Sequence, residues 1–260
     1  LGNGDPIYVQ HRDCTLVEGP TGAGKTARLA IPLCWSAPGF LLATTTKADM
    51  IAATLAVRAQ MGEVAVFDPT GLTGWPASVR WALMAGCEDP ETAMSRADAL
   101  VQARPMTGVR NGNYFEGRAA TALRCFLMAA AVAGKSIMVV RRWANLREWK
   151  DAYDILADVQ PEWAYDLKGV AASTSESTSD VFSTLSMLLE PLADPRVARM
   201  IDVPIEESID LRSFVLGGAN TLYLATVGDD DDRVAPIVAA LTEGRPARTA
   251  VASTRALESL

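Results

Sequence analysis

The sequence has little that could hold a structural metal ion. It contains one histidine, His11, and four cysteines, and no two cysteines are spaced as a CxxC pair. Structural zinc sites need clustered cysteine and histidine ligands, so this composition argues against a zinc-binding module. Scattered thiols are typical of a reducing cytoplasm, where each cysteine packs as a small apolar residue.

Long hydrophobic runs and an excess of basic residues are also missing. The longest apolar run, Cys125 to Gly134, is far shorter than the ~20 residues that a membrane helix needs, and no signal peptide is recognisable from Leu1 onward. We therefore expect a soluble segment, with any membrane anchor outside the sequence shown. The net charge of -7 argues against a protein that coats DNA with its whole surface. Nucleic acid would have to bind at a local patch or inside a ring.

The chain has the composition of a globular protein, and its first third alternates between strand and helix patterns. Of its 260 residues, 49% are hydrophobic and 21% are charged, so disorder is not indicated. Short apolar runs predict strands, and runs with helical spacing between them predict helices. The predicted strands are Cys14–Val17, Phe40–Thr44, Glu63–Phe67 and Thr221–Val227. This alternation predicts an α/β fold with a parallel sheet.

From Trp81 to about Trp163 the strand signals stop. Pro90 opens a predicted helix, a second runs from Tyr114 to Ala133, and Ser136–Val159 contains one or two more. This stretch is therefore predicted to be an all-helical insertion. The tail from Gly244 has only weak patterning.

An eight-residue motif, Gly19–Thr26, fits the P-loop pattern G-x-x-x-x-G-K-[ST] between a predicted strand and a predicted helix bent by Pro32. Its glycines let successive backbone N–H groups point at phosphate oxygens, and the helix N-terminus favours anions. Lys25 is expected to contact the β- and γ-phosphates and Thr26 to ligate Mg²⁺, which makes these two the candidate catalytic residues. The candidate nucleotide-binding residues are Gly19, Pro20, Thr21, Gly22, Ala23, Gly24, Lys25 and Thr26. The motif predicts binding of ATP with Mg²⁺.

Hydrolysis needs a further acidic residue at the end of a second apolar strand. No run of four apolar residues followed by Asp-Glu is present. Asp68, after Val64–Phe67, and Asp229, after Val227 and Gly228, are the candidates. The alternative for Asp68 is a strand-ending turn with Pro69, and for Asp229 a solvated helix N-terminus. ATP turnover therefore stays open at this point.

Basic and aromatic side chains cluster on one predicted helical segment. They are Arg141, Arg142, Trp143, Arg147, Trp149 and Lys150. This pairing suits stacking and phosphate contacts with single-stranded DNA. The alternative is a solvated basic face with the tryptophans in the core.

The order of these motifs resembles that of the conjugative coupling proteins of type IV secretion, the TraG/TraD and VirD4-like ATPases. The resemblance extends from about Pro6 to Leu241; the P-loop is its most specific motif, and the order of the motifs carries its weight. The segments that follow it in the family's order are Thr44–Asp49, Thr54 with Arg58, Val66–Pro69, Gly86–Pro90, Asn113–Glu116 and Gly218–Leu224. The last three are similar to the actinobacterial branch.

The resemblance implies a RecA-like P-loop NTPase fold with an all-α domain inserted in it. Residues 1–83 and 165–260 would form the nucleotide-binding domain and residues 84–164 the insertion. It also implies a homo-hexameric motor on the cytoplasmic face of the plasma membrane, which passes DNA and its relaxase to a type IV secretion channel. The family's acidic strand is not found in the tail, so the expected second part of the nucleotide-binding domain is incomplete.

Three functions follow from these residues. The first is a coupling-protein ATPase that drives DNA or protein export. The second is a nucleotide-binding or adaptor fragment without ATP turnover, which the missing acidic strand favours. The third is a P-loop kinase, for which the sequence offers no recognisable acceptor site.

Overall fold

A four-stranded parallel sheet with the order β2-β3-β1-β4 organises the structure. The computed structural model describes residues 15–75, 79–105, 112–172, 176–226, 234–243 and 250–253. The strands are β1 (Leu41–Thr45), β2 (Val64–Phe67), β3 (Thr221–Ala225) and β4 (Ala250–Ser253). All three neighbouring pairs are parallel. The predicted mixed α/β fold with a parallel sheet is confirmed.

The sheet differs from the sequence prediction at both ends of the chain. The weakly patterned tail contributes β4, which pairs with β1 from Leu41↔Ala250 to Thr44↔Ser253. The predicted first strand is wrong for its described part, because Thr15–Val17 lie outside the sheet and Leu16 is 79% exposed. Cys14 lies outside the described residues. Both edges of β1 are already paired, one with β3 and one with β4, so the segment before the P-loop has no place beside it.

β1, β2 and β3 are buried on both faces, which explains their continuous apolar runs. On one face, Leu41, Ala43 and Tyr223 pack with α2 (Ala48–Arg58) and with the helical run that follows the P-loop. On the other face, alternate strand residues such as Phe67 and Leu224 join the core of the helical region. The sheet therefore lies between α2 with the helical run after the P-loop on one face and the core of the helical region on the other.

The described residues between β2 and β3 form helices. Their bounds are α3 (Pro90–Gln102), α4 (Gly112–Val132), α5 (Ile137–Leu146), α6 (Trp149–Val159), α7 (Pro161–Ala171), α8 (Glu176–Leu188), α9 (Pro195–Ile201) and α10 (Leu211–Leu216). Two short 3₁₀ turns, Glu190–Ala193 and Ile205–Glu207, lie among them. After β3, α11 (Ala235–Glu243) packs against α3.

Side-chain caps fix where several of these helices begin. Asp89 accepts a hydrogen bond from the Thr92 N–H at 2.9 Å, and Pro90 occupies the first turn of α3. Asp194 and Asp210 cap α9 and α10 in the same way. Such caps satisfy backbone N–H groups that have no partner within the helix.

α4 is the central helix of this region and packs against α3, α5, α6, α7 and α8. Small and apolar residues such as Ala122, Phe126 and Ala130 are fully buried along it, which allows neighbours on several sides. None of the described helices is both long enough and apolar enough to cross a lipid bilayer. The domain boundaries at residues 84 and 164 stay predictions; α7 continues through the second of them to Ala171.

Candidate phosphate-binding loop

Two glycines shape the loop at Gly19–Thr26. Gly22 has φ +82° and Gly24 has φ +83°, values in the left-handed region that side chains with a Cβ rarely adopt. Between them, the Ala23 N–H donates to the Pro20 carbonyl at 3.2 Å and closes a tight turn. Gly22 and Gly24 are therefore required by the backbone conformation and not only by space for a ligand.

Lys25 stands where the loop becomes a helix. Its ammonium donates to the Gly19 carbonyl and, at 3.1 Å, to the Pro20 carbonyl, so it folds back across the loop. No side chain caps the helix that starts at Thr26. The first N–H groups of a helix have no intrahelical partner, and together with the helix dipole they favour an anion.

The residues after Lys25 form a short π-helical turn, Thr26–Ala30, which continues directly into α1 (Ile31–Ser36). The Ile31 N–H donates to the Thr26 carbonyl, five residues back. Pro32 follows at once and has no N–H to offer, so the tighter α-helical ladder cannot be complete here. The bend predicted at Pro32 therefore takes the form of a widened turn just before it.

The loop lies at the carboxyl edge of the sheet. The end of α1 is held at the amino edge, where Arg58 donates to the carbonyls of Ala37 and Gly39 and to that of Ala219, just before β3. The π-helical turn of five residues and α1 of six residues together form a helical run about 16 Å long. Ala30 and Ile31 of this run pack on the face of the sheet that carries α2, so the run crosses the sheet from its amino edge to its carboxyl edge, where the loop begins. Ligands of open α/β sheets bind at that edge.

The residues present fit a magnesium-bound triphosphate. Gly24, Lys25 and Thr26 are partly exposed and Gly19–Ala23 are exposed, so the loop is open to a ligand from solvent. A flexible ammonium, uncapped helix N–H groups and a hydroxyl at the first helical residue are the donor set that phosphates and Mg²⁺ require. Thr26 is the residue of this set that could ligate the metal. Among the described residues, no cluster of three or more His, Cys, Asp or Glu side chains is arranged to hold a metal ion.

Asp68, the first candidate for the acidic residue, is committed to its own turn. It is buried, and its Oδ1 accepts from the Leu72 N–H at 2.9 Å. Its Oδ2 accepts from the N–H of Thr73 at 2.8 Å and from the Thr73 hydroxyl at 2.6 Å. The structure therefore gives Asp68 the role of organising the strand-ending turn. Asp229, the second candidate, lies outside the described residues.

The basic and aromatic cluster does not form a row of free cations and exposed rings. Trp143 is fully buried, and Arg142 pairs with Glu148 at 3.1 Å. Arg147, in the left-handed conformation that ends α5, donates to Ser179 at 2.9 Å. Trp149 packs edge-on to Tyr153, with ring centroids 6.0 Å apart. Most of this cluster therefore fits the alternative given by the sequence, in which the basic residues form a solvated face and the tryptophan lies in the core.

Arg58 is a buried cation whose role sequence reasoning missed. It is fully buried, and its guanidinium also donates to the Thr221 hydroxyl at 2.7 Å. One turn earlier, Thr54 donates to the Met50 carbonyl at 2.7 Å and meets the Tyr223 hydroxyl at 2.6 Å. Burial raises the pKa of the Tyr223 phenol. The sequence did hold a signal for this role: Thr54 and Arg58 are polar residues four positions apart on the buried, apolar face of α2.

Comparison of the sequence with models of protein families found no match, and comparison with curated proteins found none either. Among solved structures, the chain is similar to the bacterial conjugative coupling protein TrwBdeltaN70 in its unbound monoclinic form. The two share 13% sequence identity with a TM-score of 0.49, and the match covers 78% of this chain and 48% of that chain. This chain thus spans about half the length of that protein. At this identity and TM-score the likeness carries no argument about function.

Proposed function

We propose that this chain binds ATP with Mg²⁺ through Gly19–Thr26 as part of a motor ATPase of the conjugative coupling type, built on a RecA-like domain. One observation carries the nucleotide site. Two glycines in the left-handed conformation deliver Lys25 to the start of an uncapped helix at the carboxyl edge of a parallel sheet. Backbone amides, an ammonium group and a hydroxyl thus belong to neighbouring residues of one exposed loop.

Each residue has a distinct task in this site. Gly22 and Gly24 set the loop conformation, and the N–H groups at the helix start bind phosphate oxygens. Lys25 exchanges its two loop carbonyls for β- and γ-phosphate oxygens, and Thr26 offers its hydroxyl to the metal ion. Mg²⁺, when bound, neutralises phosphate charge and orients the β- and γ-oxygens. Binding thus replaces contacts of the ammonium group with neutral carbonyls by contacts with charged phosphate oxygens.

The wider assignment rests on the order of the sequence motifs. In the proposed assembly, six copies form a ring at the cytoplasmic face of the plasma membrane. The ring passes DNA with its relaxase into a type IV secretion channel. A ring lumen is compatible with the net charge of -7, because only the inner surface has to attract DNA.

A second candidate is a nucleotide-binding or adaptor protein without ATP turnover. The commitment of both Asp68 carboxylate oxygens to backbone and hydroxyl donors favours it. An ATPase needs an acidic group free to hold Mg²⁺ and orient water. The two candidates therefore share the binding site and differ in catalysis.

The binding site is tested by titrating the protein with a fluorescent ATP analogue, with and without Mg²⁺. Lys25→Ala is expected to weaken binding by about 100-fold, because it removes a charge-assisted contact to phosphate. The melting temperature should be unchanged, since Lys25 makes only partly exposed contacts within its loop. Lys135→Ala, which truncates an exposed lysine between α4 and α5, is the matched control and should bind normally. Equal affinities for the wild type and Lys25→Ala would refute the site.

Turnover distinguishes the two candidates. A motor should release phosphate from ATP, faster with single-stranded DNA, and Lys25→Ala should abolish that release. Mg²⁺-dependent binding with no phosphate release, with or without DNA, would support the protein without turnover instead.

A further inference from the structure

Arg28 is a second cation beside the loop. It lies three residues after Lys25, one turn further along the helix, and its backbone N–H donates to the Gly24 carbonyl at 2.8 Å. Its side chain runs back along the loop. A Cβ placed on Gly24 would come within 3.3 Å of the Arg28 Cδ and 3.4 Å of its Nε. The stem of Lys25 approaches Gly19 in the same way, with its Cδ 3.9 Å from a Cβ placed there. The two cations therefore bracket the loop.

Two features of Arg28 matter together: its side chain lies against Gly24 of the loop, and its guanidinium has no carboxylate partner among the described residues. Five described arginines form ion pairs with carboxylates: Arg80, Arg104, Arg124, Arg142 and Arg196. Arg58 is instead surrounded by carbonyl and hydroxyl oxygens. Among the described residues no carboxylate pairs with Arg28, which is exposed at the start of the helical run. An arginine held against an anion-binding loop without an internal counter-ion has its donors available for the ligand.

We infer that Arg28 is a further phosphate-binding residue of this site. It acts from the Gly24 side of the loop, while Lys25 acts from the Gly19 side. A guanidinium suits this position because its planar fork donates two parallel hydrogen bonds to phosphate oxygens, which an ammonium cannot do. Contact with phosphate predicts that Arg28 strengthens binding of any triphosphate, with or without a nucleoside. This inference rests on the proposed nucleotide site.

The test compares two ligands on five proteins. Mg²⁺-ATP and inorganic tripolyphosphate compete with a fluorescent ATP analogue for the wild type, Lys25→Ala, Arg28→Gln, Arg28→Lys and Arg212→Gln. Arg212 is an exposed arginine on α10, before β3 and thus toward the amino edge, and provides the matched control. Melting curves of all five proteins check that each is folded.

Arg28→Gln is expected to weaken ATP and tripolyphosphate equally, by about tenfold, through the loss of a charge-assisted hydrogen bond. Arg28→Lys should recover part of the loss, because it keeps the charge but not the fork. Arg212→Gln should bind as the wild type. An unchanged affinity in Arg28→Gln would overturn the inference, and so would a loss confined to ATP, which would indicate contact with the nucleoside. Failure of the proposed site itself looks different, because the wild type and Lys25→Ala would then bind equally.

Discussion

The cationic side chains at the two edges of the sheet differ in burial and in their hydrogen-bond partners. At the amino edge, Arg58 is fully buried, and its donors meet carbonyls of the α1–β1 connection and of the turn before β3. At the carboxyl edge, Lys25 and Arg28 lie beside an exposed loop and have no carboxylate partner among the described residues. A buried charge is tolerated only when it is fully hydrogen-bonded, whereas an exposed charge can change partners at little cost. The first arrangement favours stability and the second favours ligand exchange.

The largest effect is expected at the amino edge. Arg58→Met should lower the free energy of unfolding by about 3 kcal/mol, because it leaves the buried Thr221 hydroxyl and several partly buried carbonyls without their donor. Chemical denaturation followed by circular dichroism measures the loss. Arg212→Gln is the control, since it removes an exposed guanidinium with no buried acceptors.

The comparison of the two edges would fail if Arg58→Met were as stable as the wild type. It would fail equally if this variant, while still folded, lost affinity for ATP as severely as Lys25→Ala. The two edges would then act as one unit.

A smaller effect is expected at the next polar contact of the same face. The Thr54 hydroxyl already donates its hydrogen to the Met50 carbonyl. The Tyr223 phenol is therefore the donor in the 2.6 Å contact between Tyr223 and Thr54. Tyr223→Phe removes this donor and keeps the packing, so a loss of about 1 kcal/mol in unfolding free energy is expected. Tyr165→Phe, at a site 64% exposed on α7, should change nothing. Equal stabilities of the two variants would show that the Thr54 contact contributes no net stability.

The smallest effect is expected in the reactivity of the buried cysteine thiols. Burial raises the pKa of Cys87 to about 11 and that of Cys125 to about 12, and burial also raises the pKa of Cys34. These thiols therefore stay protonated at pH 8, where only a thiolate would react. Iodoacetamide followed by peptide mapping should find all three unlabelled in the native protein and labelled in denaturant. In Arg58→Met under native conditions, Cys34 should become labelled while Cys125 stays protected. Labelling of both cysteines at one rate would show that the amino edge does not open by itself.

The sequence predicted most of the secondary structure where local signals agree. Pro90 marked the start of α3, and the helical stretch predicted from Ser136 begins with α5, whose cap is the Ser136 hydroxyl, which accepts from the Met138 N–H at 3.2 Å. The prediction was wrong for Thr15–Val17, an apolar run that pairs with none of the described strands. Conversely, β4 has almost no local signal, because it is short and its pairing with β1 defines it. Periodicity indicates what a segment can become, and the available partner decides the outcome.

The sharp turn with Gly22 and Gly24 and the helix after Lys25 could be predicted from the sequence, because they depend on glycine spacing and on residues that follow directly. Phosphate binding by this loop stays a prediction. The role of Asp68 needed the structure, since the same carboxylate could hold a metal ion or a turn, and only its neighbours Leu72 and Thr73 distinguish the two. The position of Arg28 against Gly24 was missed as well, because no motif includes it.

By itself, the sequence determined a glycine turn that leads directly into a helix, the mixed α/β fold and the helical stretch between β2 and β3. Tertiary structure alone decided that Arg58 would be a buried clamp, since its acceptor at Ala219 lies 161 residues away along the chain. The same holds for the pairing of β4 and for the edge of the sheet at which the loop lies. The physical reason is that turns and caps are satisfied by neighbours in sequence, whereas a buried donor or a strand edge must find a partner that only the folded chain brings near.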